Sequence, residues 1–451
     1  MSRLSKWPDF SATAPFTRQR GKQLALGLAD QGLSVGGMFL VNVLLARTRS
    51  KEEYGMFALT YSIFTFLAGL HNAAVLEPFT VYGSGRYQTR FGSYLRLMMR
   101  SNVVAGITLS AGLLLTYLLF FWASPTLDLR SLLGLGLAFP FILTGSFLRR
   151  SFYVIHQPAL AARTSLVFFL TVSLLLGLTL KTQQLNGFSV FLVLAIGWFV
   201  AGWDSIRRMP FGKADTRFVD AEPRYWREHW AYSRWVLATA FVFQFMHQGY
   251  YWLVAGFLSV KEVGELKAMY VLIAPIEQVI ISMSFVFLPV LAARYAAGSL
   301  HAFFVFWKGY ALLMAAITVT FALTVKAMGS WGIHVLYAGK FDELARMLFF
   351  LALVPLVMGL GNTMSDAIRA AEKPRLVFYA YVGSAIATFV LGLPAVRYFG
   401  LRGAVYGMLL SAAVYTGTLA LAFRLRVHKG TAPAPLDIYP AESPIPTSDA
   451  L

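Results

Sequence analysis

The chain has 451 residues, of which 57% are hydrophobic and only 13% charged, about half the charged share of soluble globular domains. Its net charge of +18 would suit nucleic acid, but the Lys and Arg punctuate apolar runs of twenty or more residues instead of lining one soluble face, which excludes that partner. With no cysteine there are no disulfides, thiol chemistry or Cys-ligated metals, and the seven histidines include neither HExxH nor an i, i+4 pair, so no metal site is expected.

A polar, basic segment at 1–22 precedes an apolar run too long for a signal-peptide core, so the first helix is expected to stay in the mature protein. The apolar runs predict an all-α integral membrane protein of about twelve helices, at 23–46, 55–80, 101–123, 131–155, 162–181, 187–206, 233–257, 264–290, 303–327, 346–368, 376–396 and 402–424. Each is long enough for a hydrocarbon core of about 30 Å. Placing the N-terminus inside gathers most basic residues on one side, among them Arg18, Arg20 and Lys22, then Arg86, Arg90, Arg96 and Arg100, then Arg207, Arg208 and Lys213, then Arg424 and Arg426. Both termini are therefore expected in the cytoplasm. A charged connection at 207–232 splits the chain into an N-lobe at 23–206 and a C-lobe at 233–425, and the Pro-, Ala- and Ser-rich tail at 426–451 reads as disordered.

The two halves repeat each other. Glu53-Tyr54-Gly55 and Tyr61 match Glu262-Val263-Gly264 and Tyr270 at a constant offset of 209, and Arg86-Tyr87 echoes Arg294-Tyr295 at offset 208. Pro140 and Gln157-Pro158 in the first half answer Pro355 and Lys373-Pro374 in the second. Such repeats are a construction principle of transporters, and here corresponding helices run the same way, which implies an axis along the membrane normal.

The loop Ser50-Lys51-Glu52-Glu53-Tyr54-Gly55 followed by Phe57-Ala58-Leu59, and the stretch Tyr398-Phe399-Gly400-Leu401-Arg402-Gly403-Ala404, resemble segments of bacterial polysaccharide flippases. Over residues 20–425 the chain is similar to the Wzx-type branch of the multidrug/oligosaccharidyl-lipid/polysaccharide (MOP) exporter superfamily. The resemblance implies a MATE-like fold of two six-helix lobes around a central cleft. It also implies an inner-membrane flippase that carries polyprenyl-diphosphate-linked glycan to the periplasmic leaflet, for exopolysaccharide or O-antigen synthesis, by alternating access. Its partners would be membrane lipids, that glycan lipid, and a polysaccharide polymerase with its export machinery.

Ionisable and amide groups within spans are costly and usually functional. At 1.5 Å per residue, Asp30 with Gln31 lies about 12 Å into the first helix, and Glu277-Gln278 about 20 Å into the eighth, after Pro275. His71 and Asn72 sit in the second helix with Glu77 beyond them, and Gln244, His247 and Gln248 in the seventh. Arg149, Arg150 and Arg369 stand near the cytoplasmic ends of the fourth and tenth helices, where they either receive a diphosphate by bidentate contact or snorkel to the interface. Asp30, Glu77, Glu277 and Asp366 are the candidates for a coupling H⁺ or Na⁺, and no other cofactor is expected.

Two other classes compete. A cation-coupled drug antiporter of the same superfamily should have a net acidic cleft. A polysaccharide polymerase or ligase should carry catalytic groups on a sizeable external loop, and no loop on that side exceeds roughly twenty residues, so the chain reads as a carrier and not an enzyme.

Overall fold

The computed structural model describes residues 18–84, 87–123, 129–211 and 222–425. Most of the basic segment at 1–22, Arg86 of the repeat, Lys213 and its neighbours in the inter-lobe connection, and the tail at 426–451 lie outside these residues.

Among the described residues the fold is all helical. Twelve long helices follow in order: α1 Arg18–Thr48, α2 Lys51–Ser84, α3 Phe91–Ala123, α4 Arg130–Val154, α5 Pro158–Lys181, α6 Gly187–Ile206, α7 Glu222–Phe257, α8 Val260–Ala296, α9 Leu300–Tyr337, α10 Ala345–Ala370, α11 Pro374–Val390 and α12 Gly392–Phe423. Ten are long and apolar enough to cross a membrane. α11 is apolar but has 17 residues, and in α7 the polar Gln244, His247 and Gln248 dilute the hydrophobic run. The perimeter is hydrocarbon, with Trp122 82% and Phe285 77% exposed, a surface suited to lipid and not to water. The chain is a multi-pass membrane protein.

In the first half α4 packs between α3 and α6, and α1 against α5; in the second, α10 packs against α8, α9 and α12, and α11 against α12. The halves meet chiefly through α2, which lies against α7 and α8, with α1 touching α8. One face of the bundle, the turn face, holds the tight α1–α2 and α7–α8 connections; both ends of the described chain lie on the opposite face.

Prolines inside these helices leave carbonyls without their usual donor four residues on, and at two of them a neighbouring serine supplies it. Pro140 frees the Gly136 carbonyl, which accepts from Ser110 Oγ of α3 at 2.6 Å. Pro78 frees the Ala74 carbonyl, which accepts from Ser233 Oγ of α7 at 3.1 Å, and here α2 widens into a π-helical turn over Asn72–Leu76. The second of these contacts joins the two halves.

Helix ends depart from expectation where α3 and α7 begin about ten residues early and α9 runs ten residues on, and the boundary itself moves between α11 and α12. The expected spans 376–396 and 402–424 become a helix ending at Val390 and one starting at Gly392, because Pro394 is tolerated in a first helical turn. Gly400, at φ 62 and ψ −141, then breaks α12 in the positive-φ half of backbone space that glycine alone enters freely. The result is a short arm at 392–399, with Tyr398 and Phe399 exposed, ahead of the spanning part.

Candidate functional site

A cavity of about 750 Å³ lies between α1 and α2 of the first half and α7, α8, α10, α11 and α12 of the second. α8 turns one face to it through Lys267, Tyr270, Ala274 and Glu277, spaced i, i+3, i+7 and i+10, with Gln278 alongside. α10 supplies Asn362, Ser365, Asp366 and Arg369, and α7 supplies Gln244, His247, Gln248 and Tyr251. Ser34 and Asn42 of α1 and Tyr61 and Thr65 of α2 form the opposing wall. All four charged side chains of the lining, Lys267, Glu277, Asp366 and Arg369, stand on α8 and α10.

These groups are held in place by hydrogen bonds. Tyr270 donates its hydroxyl to Glu277, and Tyr310 donates to the buried Asp366 at 3.0 Å. Tyr54 donates to Asn42 at 3.3 Å, and Tyr415 to Asn362 at 3.1 Å. His247 Nδ1 lies 3.0 Å from the Phe243 carbonyl, so the ring donates there and leaves its other nitrogen for the hollow. Arg369 is exposed and Asp366 buried, which directs the guanidinium and not the carboxylate toward an incoming group.

The remaining sequence candidates lie elsewhere. Asp30, 1% exposed, is enclosed within the first half: it accepts from Tyr153 and Ser165, and Arg149 Nη1 stands 3.6 Å away. Arg150 donates to Thr80 at 3.2 Å. Gln31 donates to Gln278 at 3.2 Å and so bridges the halves at the edge of the cavity. His71 is buried at the start of the π-helical turn, Asn72 is exposed, and Glu77 accepts from Tyr232 of α7 at 3.3 Å. Among the described residues no group of three or more His, Asp or Glu could hold a metal ion.

Sequence reasoning passed over Lys267 and the tyrosines around it. Lys267 stands seven residues into α8, where depth alone suggests an interfacial lysine. The available signal was the matched pair Tyr61 and Tyr270, which the repeat sets against each other and which both line the cavity.

At the turn face the halves are fastened. Lys51 pairs with Glu265 at 3.3 Å and with Glu343. Lys340, between α9 and α10, donates to the carbonyls of Ala46 and Arg47 at 3.1 Å each and to that of Arg49, so it caps the end of α1 from the other half. Burial, and then the nearby Lys51, hold the Lys340 ammonium below the ordinary lysine range.

No family model and no curated protein matches the sequence. Solved structures do. An inward-facing multidrug resistance MATE family transporter of the MOP superfamily superposes with a TM-score of 0.74 at 11% identity, over 90% of this chain and 97% of that one. The lipid II flippase MurJ, in an inward closed conformation, gives 0.68 at 14% identity over 89% and 87%. A mutant of the Vibrio cholerae MATE transporter VcmN gives 0.57 at 12% over 90% and 97%. At these identities the likeness speaks to architecture: the chain has the two-lobed MOP fold of the MATE transporters and MurJ.

Proposed function

We propose that this chain is a flippase that moves a polyprenyl-diphosphate-linked oligosaccharide from the cytoplasmic to the periplasmic leaflet of a bacterial inner membrane, in exopolysaccharide or O-antigen synthesis, by rocking its two lobes. The observation that carries this reading is the joint lining of one cavity by the cations Arg369 and Lys267 and by amides and tyrosines. A diphosphate leaving water needs cationic donors in a wet, partly enclosed space, and Arg offers a bidentate fork. Sugars are matched by the amides of Gln244, Gln248, Gln278 and Asn362 and by ring faces. The prenyl tail can remain in lipid where Ile281 and Phe285, both exposed, border the cavity. MurJ, which has this architecture, is described as a lipid II flippase.

The test is reconstitution into vesicles with a fluorescent prenyl-diphosphate oligosaccharide in the starting leaflet. Flipping above protein-free vesicles, lost when Arg369 becomes Ala, is the expected result; no flipping of any such lipid by intact protein would refute it.

A second reading, a cation-coupled antiporter of small molecules, is favoured by Glu277 and Asp366 in the same cavity. Efflux of cationic dyes by cells making this protein, without glycan-lipid flipping, would select it. In either reading these two carboxylates are the proposed carriers of a coupling H⁺ or Na⁺.

A further inference from the structure

Lys267 is buried in a membrane-embedded wall with no hydrogen bond or ion pair within 4 Å among the described residues. What surrounds it instead is aromatic. Its ammonium sits 4.3 Å from the centre of the Tyr61 ring and 5.9 Å from that of Tyr251. Tyr251 in turn meets Tyr270 edge to face at 6.4 Å, and Tyr270 holds Glu277, whose carboxylate attracts Lys267 through space. Ring faces plus a nearby carboxylate are the chemistry that recognises organic ammonium ions.

The internal repeat shows that this arrangement is not a by-product of duplication. Shifted by 209 residues, Tyr270 falls on Tyr61, whereas Lys267 and Glu277 fall on Ala58 and Ala68. Only the Tyr61 and Tyr270 pair is common to both copies; Tyr251 falls on Asn42, and Lys267 and Glu277 have no charged counterpart in the first half.

We infer that Lys267 is a built-in occupant of an aromatic-carboxylate cage: it fills a place in the cavity suited to an organic cation and so sets the site's preference for anionic head groups. The lysine is tethered, and a short tether gives an effective concentration on the order of millimolar or above. A free cation at micromolar concentration is therefore displaced unless it binds about a thousandfold better than the lysine does. The same side chain leaves a positive charge in the cavity that adds to that of Arg369. One residue thus rejects one class of substrate and favours the other.

The inference takes the cavity as the substrate site proposed above, and its test does not require transport. Purified protein in lipid nanodiscs is titrated with tetraphenylphosphonium. Intact protein should bind it weakly. Lys267→Met should bind at least tenfold more tightly, and Lys267→Gln should move the same way if the methionine variant fails to fold. Adding Glu277→Gln to either should cancel most of the gain, as should Tyr61→Leu. Intact protein binding the cation as tightly as both lysine variants would overturn the inference. If the tenfold gain is found but intact protein flips no prenyl-diphosphate glycan, the glycan reading falls and the cage stands.

Discussion

Gly55 of α2 and Gly264 of α8, matching positions of the two half-repeats, face each other where their helices cross. A methyl group on Gly55 would fall 1.8 Å from the Val260 carbonyl oxygen, and one on Gly264 would fall 2.7 Å from the Lys51 carbonyl oxygen and 3.0 Å from the Gly55 nitrogen. The neighbours are backbone and cannot swing aside. Either Gly→Ala change should therefore push α2 and α8 apart at the turn face, at a cost of about 1–3 kcal/mol, seen as a lower melting temperature in detergent. Unchanged melting in both variants would mean that the helices yield more easily than their contact suggests.

The Lys340 cap on the end of α1 predicts a change in accessibility. Lys340→Met removes a donor to three carbonyls that belong to the other half. Because the native chain has no cysteine, a single cysteine at Asn42 reports cleanly on access from the turn face. Its labelling by a membrane-impermeant maleimide should rise several-fold in the Lys340→Met background. Equal labelling rates would remove Lys340 from the closure.

Asp30 and Arg149 form a partly buried pair completed by Tyr153 and Ser165. Breaking such a pair by removing one partner costs about 3–5 kcal/mol where the survivor stays buried. Asp30 is the more enclosed of the two, so Arg149→Ala, which strands the carboxylate, should destabilise more than Asp30→Ala, which leaves an arginine able to reach water. The double variant should fall well short of the sum. Asp30→Asn with unchanged melting but no transport would instead mark the carboxylate as a binder of the coupling H⁺ or Na⁺.

Ser110 offers a narrower test. Ser110→Ala should cost about 1 kcal/mol by stranding the Gly136 carbonyl. In a Pro140→Ala background the backbone N–H returns and the same serine change should cost almost nothing. Equal costs in both backgrounds would show that the hydroxyl is not standing in for the missing helix donor.

Arg369→Ala should lower glycan-lipid flipping at least tenfold while surface expression and melting stay near native, since the side chain is exposed at the cavity and its charge acts on its neighbours Asp366 and Tyr415 only through space. Arg369→Lys should recover part of the activity, as a point charge replaces a fork.

The spans were readable because lipid demands a long apolar run for every crossing, and the twelve expected spans each overlap one of the twelve helices. Depth along a helix was readable too, from residue counts. Azimuth was not. Arg149 and Arg150 are neighbours in sequence and about 100° apart around α4; one turns to Asp30 of α1 and the other to Thr80 of α2, and only the packing of those helices decides it. Lys267 was passed over for the same reason, since its burial comes from Tyr61 and Tyr251 on two other helices. The break at Gly400 was hidden because a turn and a kinked helix use the same residues there.

All charges of the cavity stand on α8 and α10, which pack against each other within one half. If the halves rock as units, these four side chains keep their mutual distances while the uncharged wall of α1 and α2 moves past them. The electrostatic hold on a head group would then be nearly equal whichever leaflet it meets, and such a carrier equilibrates its cargo instead of pumping it. Net direction would have to come from outside the hold itself, from an ion that binds only one posture or from a reaction that consumes the delivered lipid.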